Sequence, residues 1–192
     1  MHGYSGAEYK GFLTKDEAEA FLNIRAVKTA TGKNFSTAAT SIDSSPLTTS
    51  TPNRLVVYVD GSFDVNLQKY SFGCVILLED GRILERYGNG EEPELLAIRN
   101  VAGEMYGAMY AVQWAFENGY SSVVLHYDYE GIEKWANGMW KANKPGTQEY
   151  QRKVKEYRQD LKIAFVKVLA HSGDFYNERA DVLAKKAVGI NG

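Results

Sequence analysis

The stretch RLVVYVDGSF, residues 54–63, decides how the rest of the chain is read. Leu55 to Val59 form an unbroken apolar and aromatic run, which suits a strand covered on both faces. Asp60 and Gly61 follow at once. A carboxylate at the end of so apolar a strand serves no packing purpose. The arrangement recurs in SVVLHYDYEG, residues 122–131, where the apolar run stops at Asp128. If the two strands are parallel neighbours, they lie about 4.8 Å apart. Both carboxylates then sit at the C-terminal edge of the sheet, where ligands bind in α/β folds.

Working outward, YSFGCVILL (70–78) reads as a second strand, Asp80-Gly81 as a hairpin turn, and RILERYGN (82–89) as a third strand. NVAGEMYGAMYAVQWAFENG (100–119) reads as a helix closed by Gly119. SVVLHYD is the fourth strand, and YEGIEKWANG a short helix after it. GTQEYQRKVKEYRQDL is another helix, KIAFVKVLA the fifth strand, and YNERADVLAKKAVG a closing helix. Three hairpin-linked strands followed by strand–helix alternation predict an α/β fold: a mixed sheet with helices packed on it.

Upstream of residue 54 the composition changes twice. Residues 25–53 include TATGKNFSTAATSIDSSPLTTSTPN, about half Ser and Thr, too polar to offset chain entropy; they read as a flexible linker. In residues 1–24, Thr14 and Glu17 fit a capping box, followed by an apolar stripe of Ala18, Phe21 and Leu22. The folded domain is expected at 54–190.

Two further acids break local rules. Glu104 shares a helix face with Val101, Ala108, Ala111 and Ala115, so a carboxylate sits on an apolar stripe. Asp181 lies one position off the stripe of Ala180, Leu183, Ala184 and Ala187, where an anion in a first helical turn also has a plain dipole explanation. Four acids in one small site raise each other's pKa unless cations join them. No run of Arg or Lys adjoins the strand ends. Hard divalent ions, Mg²⁺ or Mn²⁺, meet the need, and two of them about 3.5–4 Å apart can clamp a phosphodiester.

The segments DGSF, AGEMYGAMYAV, LHYDYEGIEKWANG and AHSGDFYNERADVLAKKA resemble the motifs of type 1 ribonuclease H, in order and in spacing, over residues 54–190. GYSGAEYKGFLTKDEAEAFL resembles the C-terminal half of the small hybrid-binding module that precedes many such enzymes. The resemblance implies a ribonuclease H-like five-stranded mixed sheet, three strands antiparallel and two parallel, flanked by helices. It implies hydrolysis of the RNA strand of RNA–DNA hybrids, leaving 5′-phosphate and 3′-hydroxyl ends, with two Mg²⁺ ions or Mn²⁺ in their place. By the same resemblance Asp60 bridges both ions, Asp181 completes the site on the water side, and Glu104 and Asp128 hold the other ion. His171 corresponds to a loop histidine that assists proton transfer or product departure.

Asn100 stands where the family reads the 2′-hydroxyl, although it equally suits a helix N-cap. The next position, usually Gln or Asn, is Val101. Gly61 and Ser62 offer backbone groups, and Asn177 of NERAD joins the substrate contacts. In GIEKWANGMWKANK, Trp135 and Trp140 interleave with Lys134, Lys141 and Lys144, a pattern suited to the DNA strand's sugar–phosphate backbone. Arg152, Lys153, Lys155 and Arg158 extend it or form a solvated helix face. His126 reads as structural.

A formal net charge of −2 excludes a broadly basic coat, though not a local basic face. The single cysteine, Cys74, forms no internal disulfide and reads as a core thiol. With no signal-like or membrane-spanning run, a cytoplasmic monomer is expected, with residues 1–24 available for further contacts. Two rival readings remain: a non-catalytic nucleic-acid binder, and a nuclease of the same fold with another substrate. The acidic quartet argues against the first, and NERAD with Asn100 against the second.

Overall fold

The computed structural model describes residues 9–11, 53–169 and 173–190. Six strands form one sheet: β1 (Tyr9–Gly11), β2 (Arg54–Asp64), β3 (Lys69–Leu77), β4 (Ile83–Gly90), β5 (Ser122–Tyr127) and β6 (Lys162–Lys167), in the order β1-β4-β3-β2-β5-β6. The helices are α1 (Pro93–Leu96), α2 (Asn100–Glu117), α3 (Gly131–Ala136), α4 (Pro145–Tyr157) and α5 (Phe175–Ala187). The five expected strands are β2 to β6. β3 runs antiparallel to β2 on one side and to β4 on the other, and β5 and β6 run parallel to β2. The three-residue β1 is an addition: it pairs parallel with Glu85 to Tyr87 of β4 and closes that edge. The capping box at Thr14 and nearly all of the Ser/Thr-rich segment lie outside the described residues.

Alternation along β2 explains how the layers form. Leu55, Val57 and Val59 are fully buried on the face that meets α2, while Tyr58 turns toward α5. The larger core lies under α2, α3 and α4; the smaller, around Val75, Ala180 and Leu183, lies under α5. Small residues let the helices sit low on the sheet. A Cβ on Gly103 would drive into the Ser71 carbonyl, and one on Gly73 into the Ala180 carbonyl. Cys74 belongs to this core; its Sγ lies 3.5 Å from the Gly107 carbonyl oxygen, and burial pushes the thiol's pKa up.

Three boundaries differ from expectation. β2 does not stop at Asp60: it runs to Asp64, paired with β3 from Asp60↔Gly73 to Asp64↔Lys69. Its pairing with β5 does end, at Tyr58↔His126. Asp60 therefore lies beyond the ladder on the β5 side while still held by β3, and the parallel register brings it level with Asp128. Asn100 is not the N-cap of α2. Arg99 takes that place at φ 51°, and no side chain caps the helix. α5 begins at Phe175, with Asp174 as its N-cap accepting from the Tyr176 and Asn177 amides at 3.0 and 3.1 Å. Asp181 then falls in the second turn, so the first-turn dipole explanation does not apply to it.

Candidate active site

Three elements deliver carboxylates to one point. β2 carries Asp60, α2 carries Glu104 across it, and Asp128 follows β5 directly. One oxygen from each of the three lies within 4.8 Å of the others. Asp60 is 8% exposed and Glu104 2%; Asp128 is half-buried. The Gly61 amide donates to Asp60 Oδ1 at 2.6 Å, and the Tyr129 amide to Glu104 Oε2 at 3.3 Å. α2 sits close enough for this because Gly61 lacks a side chain: a Cβ there would meet the Asn100 carbonyl and the Glu104 amide.

The electrostatics follow from burial and crowding. Burial first, then the charge of Asp128, pushes the Asp60 carboxyl up to about 7. Burial, then the charges of Asp128 and Asp60, pushes Glu104 up to about 9. Such a cluster resists full ionisation alone. An all-oxygen donor set of crowded carboxylates fits a hard divalent cation, whose charge reverses that cost.

The expected fourth acid stands beside the cluster. Asp181 affects the Asp60 carboxyl through its charge, yet its Oδ2 accepts from Lys185 Nζ at 2.6 Å. Lys185 is the cation that the strand-centred reading overlooked; the i,i+4 spacing of Asp181 and Lys185 on one helix was its signal. His171 lies outside the described residues. Asn100 opens α2 with its carbonyl against Gly61, and Ser62 sits in the β2–β3 ladder opposite Ser71. Asn177 is 4% exposed, and its Oδ1 has no hydrogen-bond partner among the described residues. His126 stacks on Tyr58, with ring centroids 4.2 Å apart; burial lowers its pKa and its Nδ1 is likewise unsatisfied.

Beside the carboxylates, Tyr129, Trp135 and Trp140 form an aromatic group. Trp135 lies 5.8 Å from each of the other two rings, and Lys134 Nζ sits 5.0 Å from the Trp140 ring centre. A cavity of about 330 Å³ opens here, lined by Val101, Tyr129, Trp135, Lys141, Lys144 and Thr147 among others. Both tryptophans are half-buried; Lys141 and Lys144 are exposed. The basic run on α4 is largely engaged elsewhere. Arg152 binds Glu149 and Glu156, Lys153 lies 3.7 Å from Glu149, and Arg158 donates to the Ala136 carbonyl and Asn137 Oδ1. Of the two readings of that run, these bonds favour the solvated helix face.

Arg179 forks onto the mostly buried Glu85 of β4, with Nε at 2.6 Å and Nη2 at 2.9 Å, and ties α5 to the sheet two residues before Asp181. Among the described residues no helix is long and apolar enough to cross a membrane.

The family model described as RNase H matches residues 52–189, and that described as Ribonuclease H1 N-terminal domain matches residues 1–22. The chain is 33% identical over 164 residues to Ribonuclease HI of Synechocystis sp., covering 74% of this chain and 92% of that relative. Among solved structures it is similar to RNase H1 from Halobacterium salinarum, with TM-score 0.59 and 25% identity, covering 70% of this chain and 97% of the other. LC11-RNase H1 in complex with RNA/DNA hybrid shares the fold at TM-score 0.57 and 23% identity, covering 70% and 96%.

Proposed function

The chain belongs to the ribonuclease H family and is a ribonuclease H enzyme, and we propose that it cuts the RNA strand of RNA–DNA hybrids at the Asp60–Glu104–Asp128 cluster. In this reading two Mg²⁺ ions, or Mn²⁺ in their place, bind there, and the products carry 5′-phosphate and 3′-hydroxyl ends. The observation that carries it is the convergence of three carboxylate oxygens within 4.8 Å. The hybrid bound in the LC11-RNase H1 structure supports the substrate class.

When bound, such ions supply an activated water and stabilise charge developing on the phosphate. The chain's own residues prepare the site. Asp60 and Glu104, kept from full ionisation without a cation, gain their charge when one arrives. The Gly61 amide fixes one Asp60 oxygen and the Tyr129 amide one Glu104 oxygen, so neither has to search for its place. By the family resemblance Asp60 would serve both ions, Glu104 and Asp128 would hold one, and Asp181 would complete the site for the other.

Asn100, with the backbone at Gly61 and Ser62, reads the RNA strand's 2′-hydroxyl in this proposal. Trp135, Trp140, Lys141 and Lys144 take the DNA strand along the aromatic cavity. Asn177, being buried, acts from beneath the substrate surface. His171 is assigned to proton transfer or product departure from its place in the sequence.

The test is selectivity. Labelled RNA is offered in a hybrid, as a single strand and as an RNA duplex, with duplex DNA alongside. The proposal expects cleavage of the hybrid alone, with 5′-phosphate ends. Equal cleavage of the other substrates overturns it, and hybrid binding without cleavage favours a pure binder.

A further inference from the structure

The site's acids divide unevenly. Asp60, Glu104 and Asp128 face one another, whereas Asp181 already has a partner in Lys185, 2.6 Å away. The two residues sit one turn apart on α5, where i,i+4 side chains meet. Their side chains are 24% and 37% exposed, so the pair is only partly screened by solvent. Both charges reach the cluster: that of Asp181 pushes the Asp60 carboxyl up and that of Lys185 pulls it down. An ammonium bound this closely takes up lone-pair space that a hard cation would need on the same oxygen. A divalent ion beside Asp60 would in turn repel the ammonium.

We propose that Lys185 is a built-in counter-ion that occupies Asp181 until a divalent cation displaces it, and so sets the metal concentration at which the Asp181 side of the site fills. The inference rests on the hydrolase reading above. Lys185 is a positioning residue here: it acts through Asp181 and touches neither substrate nor ion. Without the cation Lys185 holds Asp181 toward its own helix; with it, the ammonium swings out to solvent, which its flexible stem permits. Removing the ammonium removes a competitor and a repelling charge together.

The test is calorimetric titration of Mg²⁺ into the full chain without nucleic acid, for wild type, Lys185→Gln, Lys185→Arg, Asp181→Asn and the Asp181→Asn/Lys185→Gln double variant. Gln and Arg match Lys in helix propensity, so α5 is retained. A partly exposed ion pair corresponds to about a two- to fivefold change in affinity. Lys185→Gln is expected to bind Mg²⁺ tighter by that factor, and Lys185→Arg to stay near wild type. In the Asp181→Asn background the gain from Lys185→Gln is expected to shrink. Unchanged or weaker binding by Lys185→Gln, with wild type binding normally, overturns the counter-ion and leaves the hydrolase reading standing. Absence of any Mg²⁺ binding by wild type overturns both.

Discussion

Gly61→Ala tests whether the site depends on how closely α2 approaches β2. The added Cβ would lie 2.5 Å from the Glu104 amide nitrogen and 2.8 Å from Glu104 Cγ, and nearer still to the Asn100 carbonyl. Ordinary van der Waals contact needs about 1 Å more. Two of the three obstacles are backbone atoms, so a rotamer change cannot clear them. The first turns of α2 must therefore lift from the strand by about that distance, carrying Glu104 away from Asp60 and Asp128. Overpacking of this kind costs about 1–3 kcal/mol. For a domain of this size that lowers the melting temperature by roughly 2–10 °C. Misplacing a site residue by about 1 Å costs on the order of a hundredfold in rate. Thermal unfolding and single-turnover cleavage of a labelled hybrid read the two effects separately. Gly119→Ala is the control: it has positive φ and open space around it, far from the carboxylates. It should lose some stability and keep its rate. Refutation would be a Gly61→Ala protein that cleaves at the wild-type rate, because the tight β2–α2 contact would then not hold the site together.

Metal-free stability should fall as pH rises. The folded Asp60 and Glu104 carboxyls stand at about 7 and 9, above their ordinary 3.8 and 4.5. The unfolded chain releases these protons first, so stability declines from about pH 4 and levels off above about pH 9. Melting temperature in a chelator should drop across this range and recover with Mg²⁺; a flat or rising profile refutes the burial argument. Arg179→Ala should remove the fork onto Glu85 and cost about 1–3 kcal/mol in unfolding experiments, and Arg179→Lys should recover only part, since an ammonium cannot bind both oxygens in parallel. Trp135→Ala should raise KM for the hybrid with kcat little changed, and Lys144→Ala should reduce the slope of log affinity against log salt by about one.

What the sequence disclosed and what it hid divide on physical lines. Asp60, Asp128 and Glu104 were legible because a charged residue in an apolar run or stripe contradicts its local pattern. Their convergence was legible too, since parallel neighbours bring strand ends together. The extension of β2 past Asp60 was hidden: residues 60–64 look like a turn, and only pairing with β3 makes them strand. Arg99 as N-cap was hidden for a related reason, since it takes a positive φ that a long side chain does not favour and makes no side-chain cap that its residue type would announce. The fate of Arg152 and Lys153 was set by Glu149 and Glu156 one turn away, spacing that composition alone does not weigh, and that of Arg158 by Ala136 and Asn137 across the helix contact. Asp174 and Lys185 carried readable signals, an N-cap residue and an i,i+4 partner, which attention to the NERAD acid obscured.

The most direct measurement of the central claim is Mg²⁺-dependent cleavage of an RNA–DNA hybrid labelled on its RNA strand, comparing wild type with Asp60→Asn, Glu104→Gln and Asp128→Asn. Each substitution should cut the rate at least about a hundredfold, while the metal-free protein melts no lower than wild type because one of the crowded, ionisable carboxyls is gone. Cleavage that persists at the wild-type rate in any of the three, or that proceeds without a divalent cation, would contradict the account.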